Sequence, residues 1–241
     1  MKKTMLFVLV ALLTLGVATV LWAAISGTPH DVRVMTGDAS LEPCVMCHTP
    51  HSGTGQYPIW NRTQGAQTYI LYNSPTFDMA PAKQPQSPSS LCLVCHNGVF
   101  SELVNYPGPG SPVNENYDYQ MNSMFWAMLG TDLRDEHPIS FTYNPLLDTV
   151  QDNNGFPQSV KCSTTDRRWI PGPGGSLYFP LYGSQWDQFE CATCHAVHHT
   201  GIGIPYGEAM VGGKSVGTQV YFLRTSNAGS AMCGDCHKNR L

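Results

Sequence analysis

The chain has 241 residues with 13 Lys and Arg against 17 Asp and Glu, a formal net charge of -4. That balance speaks against nucleic acid as a partner. Charged residues are only 12% of the chain while Gly and Pro number 23 and 18, so the sequence predicts loops with little regular structure and room for one large or two small domains.

The N-terminus has Lys2 and Lys3 followed by an apolar run over residues 5–25, broken by Thr14 and Thr19 and closing on Ala23 and Ala24. A basic start, an apolar stretch and small residues at its end predict a secretory signal peptide over residues 1–24. The competing reading is a retained membrane anchor, since the run is about long enough to span a bilayer. Loss of Lys2 and Lys3 with the leader leaves 11 basic against 17 acidic residues, a formal charge of -6. The expected location is therefore the periplasm or the outside of the cell.

Beyond the leader, eight of the nine cysteines fall into C-x-x-C-H motifs: Cys44/Cys47/His48, Cys92/Cys95/His96, Cys191/Cys194/His195 and Cys233/Cys236/His237. This is the attachment signal of a c-type haem. Two thiols add across the two vinyl groups of one haem, and a two-residue gap lets both reach the same ring edge. The His that follows lies under the ring and faces the iron. Disulfides suit an exported protein and zinc sites use paired cysteines. Neither requires His after every second Cys. A thioredoxin-like pair needs a strand–helix context that does not recur four times. The expected cofactors are four covalently attached haem c groups.

Each iron also needs a second axial ligand or an open position. Five histidines remain: His30, His51, His137, His198 and His199. The order His … C-x-x-C-H-x-x-H … C-x-x-C-H occurs twice, with His30 and His51 in the first copy and His137 and His198 in the second. Residues 67–74 (QTYILYNS) also match residues 219–226 (QVYFLRTS) at Gln, Tyr, Leu and Ser. The repeat unit is a two-haem module, predicted over residues 25–130 and again over 131–241. His51 lies three residues from His48, on the same side of that ring, so it must serve another iron. The reading favours His51 for the second haem and His198 for the fourth, with His30 and His137 completing the other two. His199 breaks the repeat and is a substitute for His198 or a neighbour of it. Met121, Met124 and Met128 fall near helical spacing and read as packing rather than as ligands.

The remaining stretches read as connections. Residues 106–113 and 170–175 are Pro/Gly punctuation. Residues 144–185 have a much shorter counterpart in the first half and read as an insertion holding the odd Cys162, a buried thiol or one that pairs between chains. Asn61 begins an N-R-T glycosylation sequon. The predicted fold is a multihaem cytochrome c of mostly irregular coil, with short α-helices on the motifs and a few short strands, organised around four haems.

The stretches GTPHDVR, CVMCHTPHSG, PIWNR, SLCLVCHNG, HPISF, CATCHAVHH and MCGDCHKN together resemble the doubled-C-x-x-C-H multihaem cytochromes. Within them the chain is similar to the tetrahaem, OmcE-type group that polymerises into extracellular nanowires. The resemblance implies bis-His haems stacked in a continuous line, a homopolymer built head to tail, and one terminal haem that takes its axial His from the next subunit. His30, near the N-terminus, is the expected donor. Redox proteins and extracellular electron acceptors are the other expected partners. The function expected is electron transfer without catalysis. Alternatives are a monomeric periplasmic shuttle, a multihaem reductase with one open iron, and a structural protein cored by haem.

Overall fold

Segments this short of alternating or helical apolar pattern form regular structure only where a neighbour braces them. The computed structural model describes residues 25–53, 57–75, 77, 79, 81–99, 127–144, 169–171, 178–198, 210–211, 214–215, 222–224, 227, 230 and 232–233. Among them, helices and strands are brief and coil dominates. The helices are α1 (Val32–Thr36), α2 (Ser89–His96) and α3 (Cys191–Cys194). Strands β1 (Ile70–Leu71) and β2 (Asp132–Leu133) pair in parallel, and β3 (Phe141–Thr142) pairs antiparallel with β6 (Gln188–Phe189). Strands β4 (Trp169–Pro171) and β5 (Tyr178–Pro180) form a hairpin, as do β7 (Met210–Val211) and β8 (Lys214–Ser215). The leader, Cys162, Cys236, His237, His199, Met121, Met124 and residues 106–113 lie outside the described residues. No described helix is long and apolar enough to cross a membrane.

One apolar cluster holds these pieces together: Met79, Phe141, Tyr143, Ile170, Phe179, Leu181 and Phe189. Its centre is a cross-strand aromatic pair. Phe141 faces Phe189 in register, their rings stacked 5.1 Å apart, and Phe77 meets Phe141 edge-on at 5.2 Å. Such pairs contribute about 0.5–1.5 kcal/mol beyond the area they bury. Ile170, Phe179 and Leu181 come from within the expected insertion, and all three are buried. The hairpin of that segment therefore supplies side chains to the core.

The GTPHDVR stretch forms a capped turn of helix. Asp31 is the N-cap of α1 and is 1% exposed. Its carboxylate accepts from the backbone N–H of Arg33 at 3.0 Å and of Gly27 at 2.9 Å, and from the Arg33 guanidinium at 2.6 and 2.9 Å. The helix ends on Gly37, whose φ of 73° suits a residue without Cβ. His30, just before the cap, is thereby fixed. The Arg33 side chain is the main reason that the Asp31 pKa falls to about 2.

Asp31→Ala is expected to destabilise the protein by about 1–2 kcal/mol, read from denaturant unfolding at neutral pH. The folded pKa lies below the unfolded value. The contribution of Asp31 is thus present above pH 3.8 and is lost as pH falls through about 2. An unchanged midpoint in the variant would show that the cap is idle.

Candidate functional site

The second motif sits on α2. Helical spacing puts Cys92, Cys95 and His96 at i, i+3 and i+4, on one side of the helix, while Leu93 and Val94 are buried. Tyr69 secures the end of α2: its hydroxyl donates to the Leu93 carbonyl at 3.4 Å and accepts from Asn97 Nδ2 at 2.8 Å. Gln84 in turn holds both backbone groups of Tyr69, at 2.9 and 3.0 Å. Residues 127–130 clamp His96 itself. Its carbonyl accepts from Leu129 N–H at 2.7 Å, and its Nδ1 lies 2.7 Å from the Ala127 carbonyl. A ring that donates from Nδ1 keeps Nε2 as a free acceptor, the tautomer a metal-ligating His needs. Met128 packs on Gly98, where a Cβ would come within 2.9 Å of its sulfur.

The first and third motifs share a brace that the sequence repeat does not show. Thr49 N–H donates to Ile59 O at 2.8 Å, and Asn61 N–H to Cys47 O at 2.9 Å. In the second unit Ala196 N–H donates to Phe222 O at 2.7 Å, and Arg224 N–H to Cys194 O at 2.9 Å. The bridges are His48 with Trp60 and His195 with Leu223. Ile59 and Phe222 both adopt positive φ, 55° and 68°, a strained choice for bulky side chains. Asn61 Nδ2 reaches Val45 O at 3.0 Å, and Arg224 Nε reaches Ala192 O at 3.0 Å, the same place in each motif. Asn61 therefore corresponds to Arg224. The similar stretches at 67–74 and 219–226 do different work: Leu71 lies in β1, whereas Leu223 braces His195. Asn61 is also fully buried, so its sequon offers no acceptor in the folded chain.

The thiols follow one another in motif order. Cys95 acts electrostatically on Cys47, joining motifs one and two. Cys92 is held well above the usual thiol range, first by its hydrogen bond with Cys191 and then by burial, joining motifs two and three. Cys191 N–H donates to Ser89 Oγ at 2.8 Å, which fixes the start of α3 against α2. Cys233 acts on Cys194, joining motifs three and four. Burial first pushes Cys47 and Cys194 up to about 11. The buried Arg62 works the other way on Cys47 and Cys95, its Nε donating to Met46 O at 2.8 Å. Of the fourth motif, only Cys233 is among the described residues, its N–H and thiol each 3.4 Å from Asn227 Oδ1.

The spare histidines are paired differently from the sequence expectation. His198 faces His48, with ring centres 5.8 Å apart. His30 lies 6.0 Å from His96 and stacks on Phe222 at 4.6 Å. Burial, then His96 and His195, hold the His30 pKa down at about 4, so the ring is neutral at physiological pH. Among the described residues His198 thus meets the first motif, and His30 stands within its own chain beside the second, while His237 of the fourth lies outside the described residues. The reason is tertiary: folding the second C-x-x-C-H-x-x-H segment over the first crosses the units. His137 stacks on Phe189 at 5.2 Å, with Nδ1 2.8 Å from Pro138 O, and desolvation lowers its pKa. His51 is exposed, its carbonyl accepting from Thr49 Oγ1 at 2.7 Å.

Two residues near the motifs were not among the expected site residues, although Arg62 ends the PIWNR stretch. Glu190 precedes Cys191 and is fully buried. Arg62 follows the brace. Only their burial in the fold marks them. Among the described residues, no three His, Cys, Asp or Glu side chains converge to hold a bare metal ion. A haem brings four nitrogens of its own and needs only two imidazoles, on opposite sides. Their ring centres are then about 6 Å apart, given metal–nitrogen bonds of about 2 Å, and the two histidine pairs fit that spacing. His48 Nδ1 is buried with no partner in hydrogen-bonding geometry. No family model matches the chain, and no curated protein matches it either.

Asn61→Ala is expected to cost about 1–3 kcal/mol, because the Val45 carbonyl loses its donor in a buried site. Arg224→Ala should cost a similar amount through Ala192. Differential unfolding of each variant checks this, and a loss below about 0.5 kcal/mol in both would mean that the brace is backbone alone.

Proposed function

We propose that the chain is an exported tetrahaem c-type cytochrome that conducts electrons and does not act as an enzyme. The observation that carries the reading is the set of four C-x-x-C-H motifs, of which the second and third lie side by side where Cys191 N–H donates to Ser89 Oγ at 2.8 Å. Cysteines that serve as tethers in this order would line their cofactors up as one path. Bound haem iron supplies one-electron chemistry, and two imidazoles on each iron leave no position for a substrate. The protein's own residues set the spacing, exclude water and, at His96, hold the tautomer of the imidazole through the Ala127 carbonyl.

The two histidine pairs support one way of sharing the spare ligands. His30 serves the His96 iron inside its unit, so His137 serves that of His237 by the repeat. His198 of the second unit serves the His48 iron of the first. The same step carried forward brings His51 of one subunit to the His195 iron of another. That link is head to tail and does not close, so it builds a filament. His51, exposed at the surface, replaces His30 as the donor between subunits. If His51 instead folds back on His195 of its own chain, each subunit is complete and serves as a soluble shuttle.

Mass spectrometry of the secreted protein should find four haem additions; a chain with disulfides or zinc and no haem overturns the reading. Binding of carbon monoxide by the intact protein would point to an open iron and a reductase. His51→Ala should abolish filaments in electron micrographs and leave one haem high-spin. His30→Ala should spare filaments while one haem loses its low-spin signature. Normal filaments from His51→Ala would sink the proposed link.

A further inference from the structure

Glu190 stands where the two units join. It is 0% exposed, and its residue lies between β6 and α3, beside the Cys191 amide that Ser89 of α2 accepts. Its Oε2 accepts from the Ser140 hydroxyl at 2.8 Å, and Ser140 Oγ is held in turn by the Gln86 N–H at 2.9 Å. Its own N–H donates to Thr193 Oγ1 at 3.0 Å. Oε1 is buried with no partner in hydrogen-bonding geometry. The Ser140 hydroxyl, and the hydroxyl and backbone N–H of Ser89 at the start of α2, are the polar groups offered to the carboxyl; all are neutral.

The titratable and charged groups around it do not neutralise it. On α3 there is Cys191, which haem attachment converts to an uncharged thioether. Glu136 acts on Cys191 and is itself acidic. Arg224 is engaged on α3 elsewhere, with Ala192 O at 3.0 Å and the Tyr182 hydroxyl at 3.2 Å. His137 stacks on Phe189, the residue before Glu190, and burial lowers its pKa, which favours the neutral ring. A carboxyl buried without a cation prefers its neutral form, and burial is the first cause raising the Glu190 pKa to about 7.

We infer that Glu190 couples proton uptake to electron passage at the junction between the second and third haems. The inference rests on the proposed tetrahaem reading. One electron from an external reductant converts ferric to ferrous iron at one of these haems. The added negative charge raises the proton affinity of the buried carboxylate. A proton from solvent then forms an O–H bond at Oε1, the oxygen without a partner, and no other bond changes. Reoxidation by the next acceptor returns the proton. By linkage, protonation of Glu190 must also raise the potential of that haem. Glu190 acts through the haem's surroundings and is a positioning residue, not a ligand.

The test is a spectroelectrochemical titration of the haem-loaded protein from pH 5.5 to 8.5, paired with dye-monitored proton uptake on reduction by dithionite. In the wild-type protein one of the four potentials should fall as pH rises through neutrality, by up to about 59 mV per pH unit, the one-electron equivalent of a tenfold change. In Glu190→Gln that slope should flatten and the proton uptake near pH 7 should fall several-fold. If Glu190→Gln does not fold, Ser140→Ala keeps the carboxyl, removes a bond to its charged form and should move the transition to higher pH. The same slope in Glu190→Gln, or an unmoved transition in Ser140→Ala, would assign the effect to haem propionates and overturn the inference. Absence of covalent haem in the starting protein would instead overturn the tetrahaem reading, so the two failures are distinct.

Discussion

Everything in this protein depends on holding a C-x-x-C-H segment rigid when its own sequence cannot. The proposed haem attachment asks two thiols and an imidazole to keep one fixed geometry, and a five-residue coil has too much conformational freedom to do so. The chain answers with a crossed backbone brace: one N–H runs out from just after the motif His, and another runs back to the carbonyl of the second Cys. The motif on α2 has helical hydrogen bonds instead, and the clamp on His96 completes them.

The braces cost strain and gain position. Ile59 and Phe222 occupy a backbone region that disfavours large side chains, at an expense of about 1–3 kcal/mol each. The strain appears at the equivalent place in both units, which ties it to the geometry of the motif and not to local accident. The aromatic core around Phe141 and Phe189 then anchors the third motif, since β6 leads directly into α3. Order therefore passes from the core to α3, from α3 through Ser89 to α2, and from α2 to the first motif through the adjoining thiols.

This arrangement also explains the polar groups in the interior. Asp31 is buried because it caps the turn that carries His30, and it is fully bonded there. Glu190 is buried because its position, one residue before Cys191, is dictated by the junction. The first is a satisfied structural carboxylate. The second carries one bonded oxygen and one without a partner, next to two attachment motifs. Their different electrostatics follow from Arg33, which the first has beside it and the second lacks.

The four C-x-x-C-H motifs were legible in the sequence, because the spacing is local and is read without any fold. So was the repeat that sets His30, His51, His137 and His198 around them. The expected short helices are present at the second and third motifs, whereas the first is a run of turns. What the sequence did not determine is which histidine meets which motif. Neighbours along the chain suggested pairing within each unit, yet His198 crosses to His48, because contact across a fold is set by how two segments lie on each other. The true brace equivalence, Asn61 with Arg224, was hidden for the same reason: backbone hydrogen bonds carry it, and they leave no side-chain signature. Only the tertiary structure decided these pairings, the core role of Ile170, Phe179 and Leu181, and the burial of Glu190. Each depends on distance through space, which a linear spacing cannot encode.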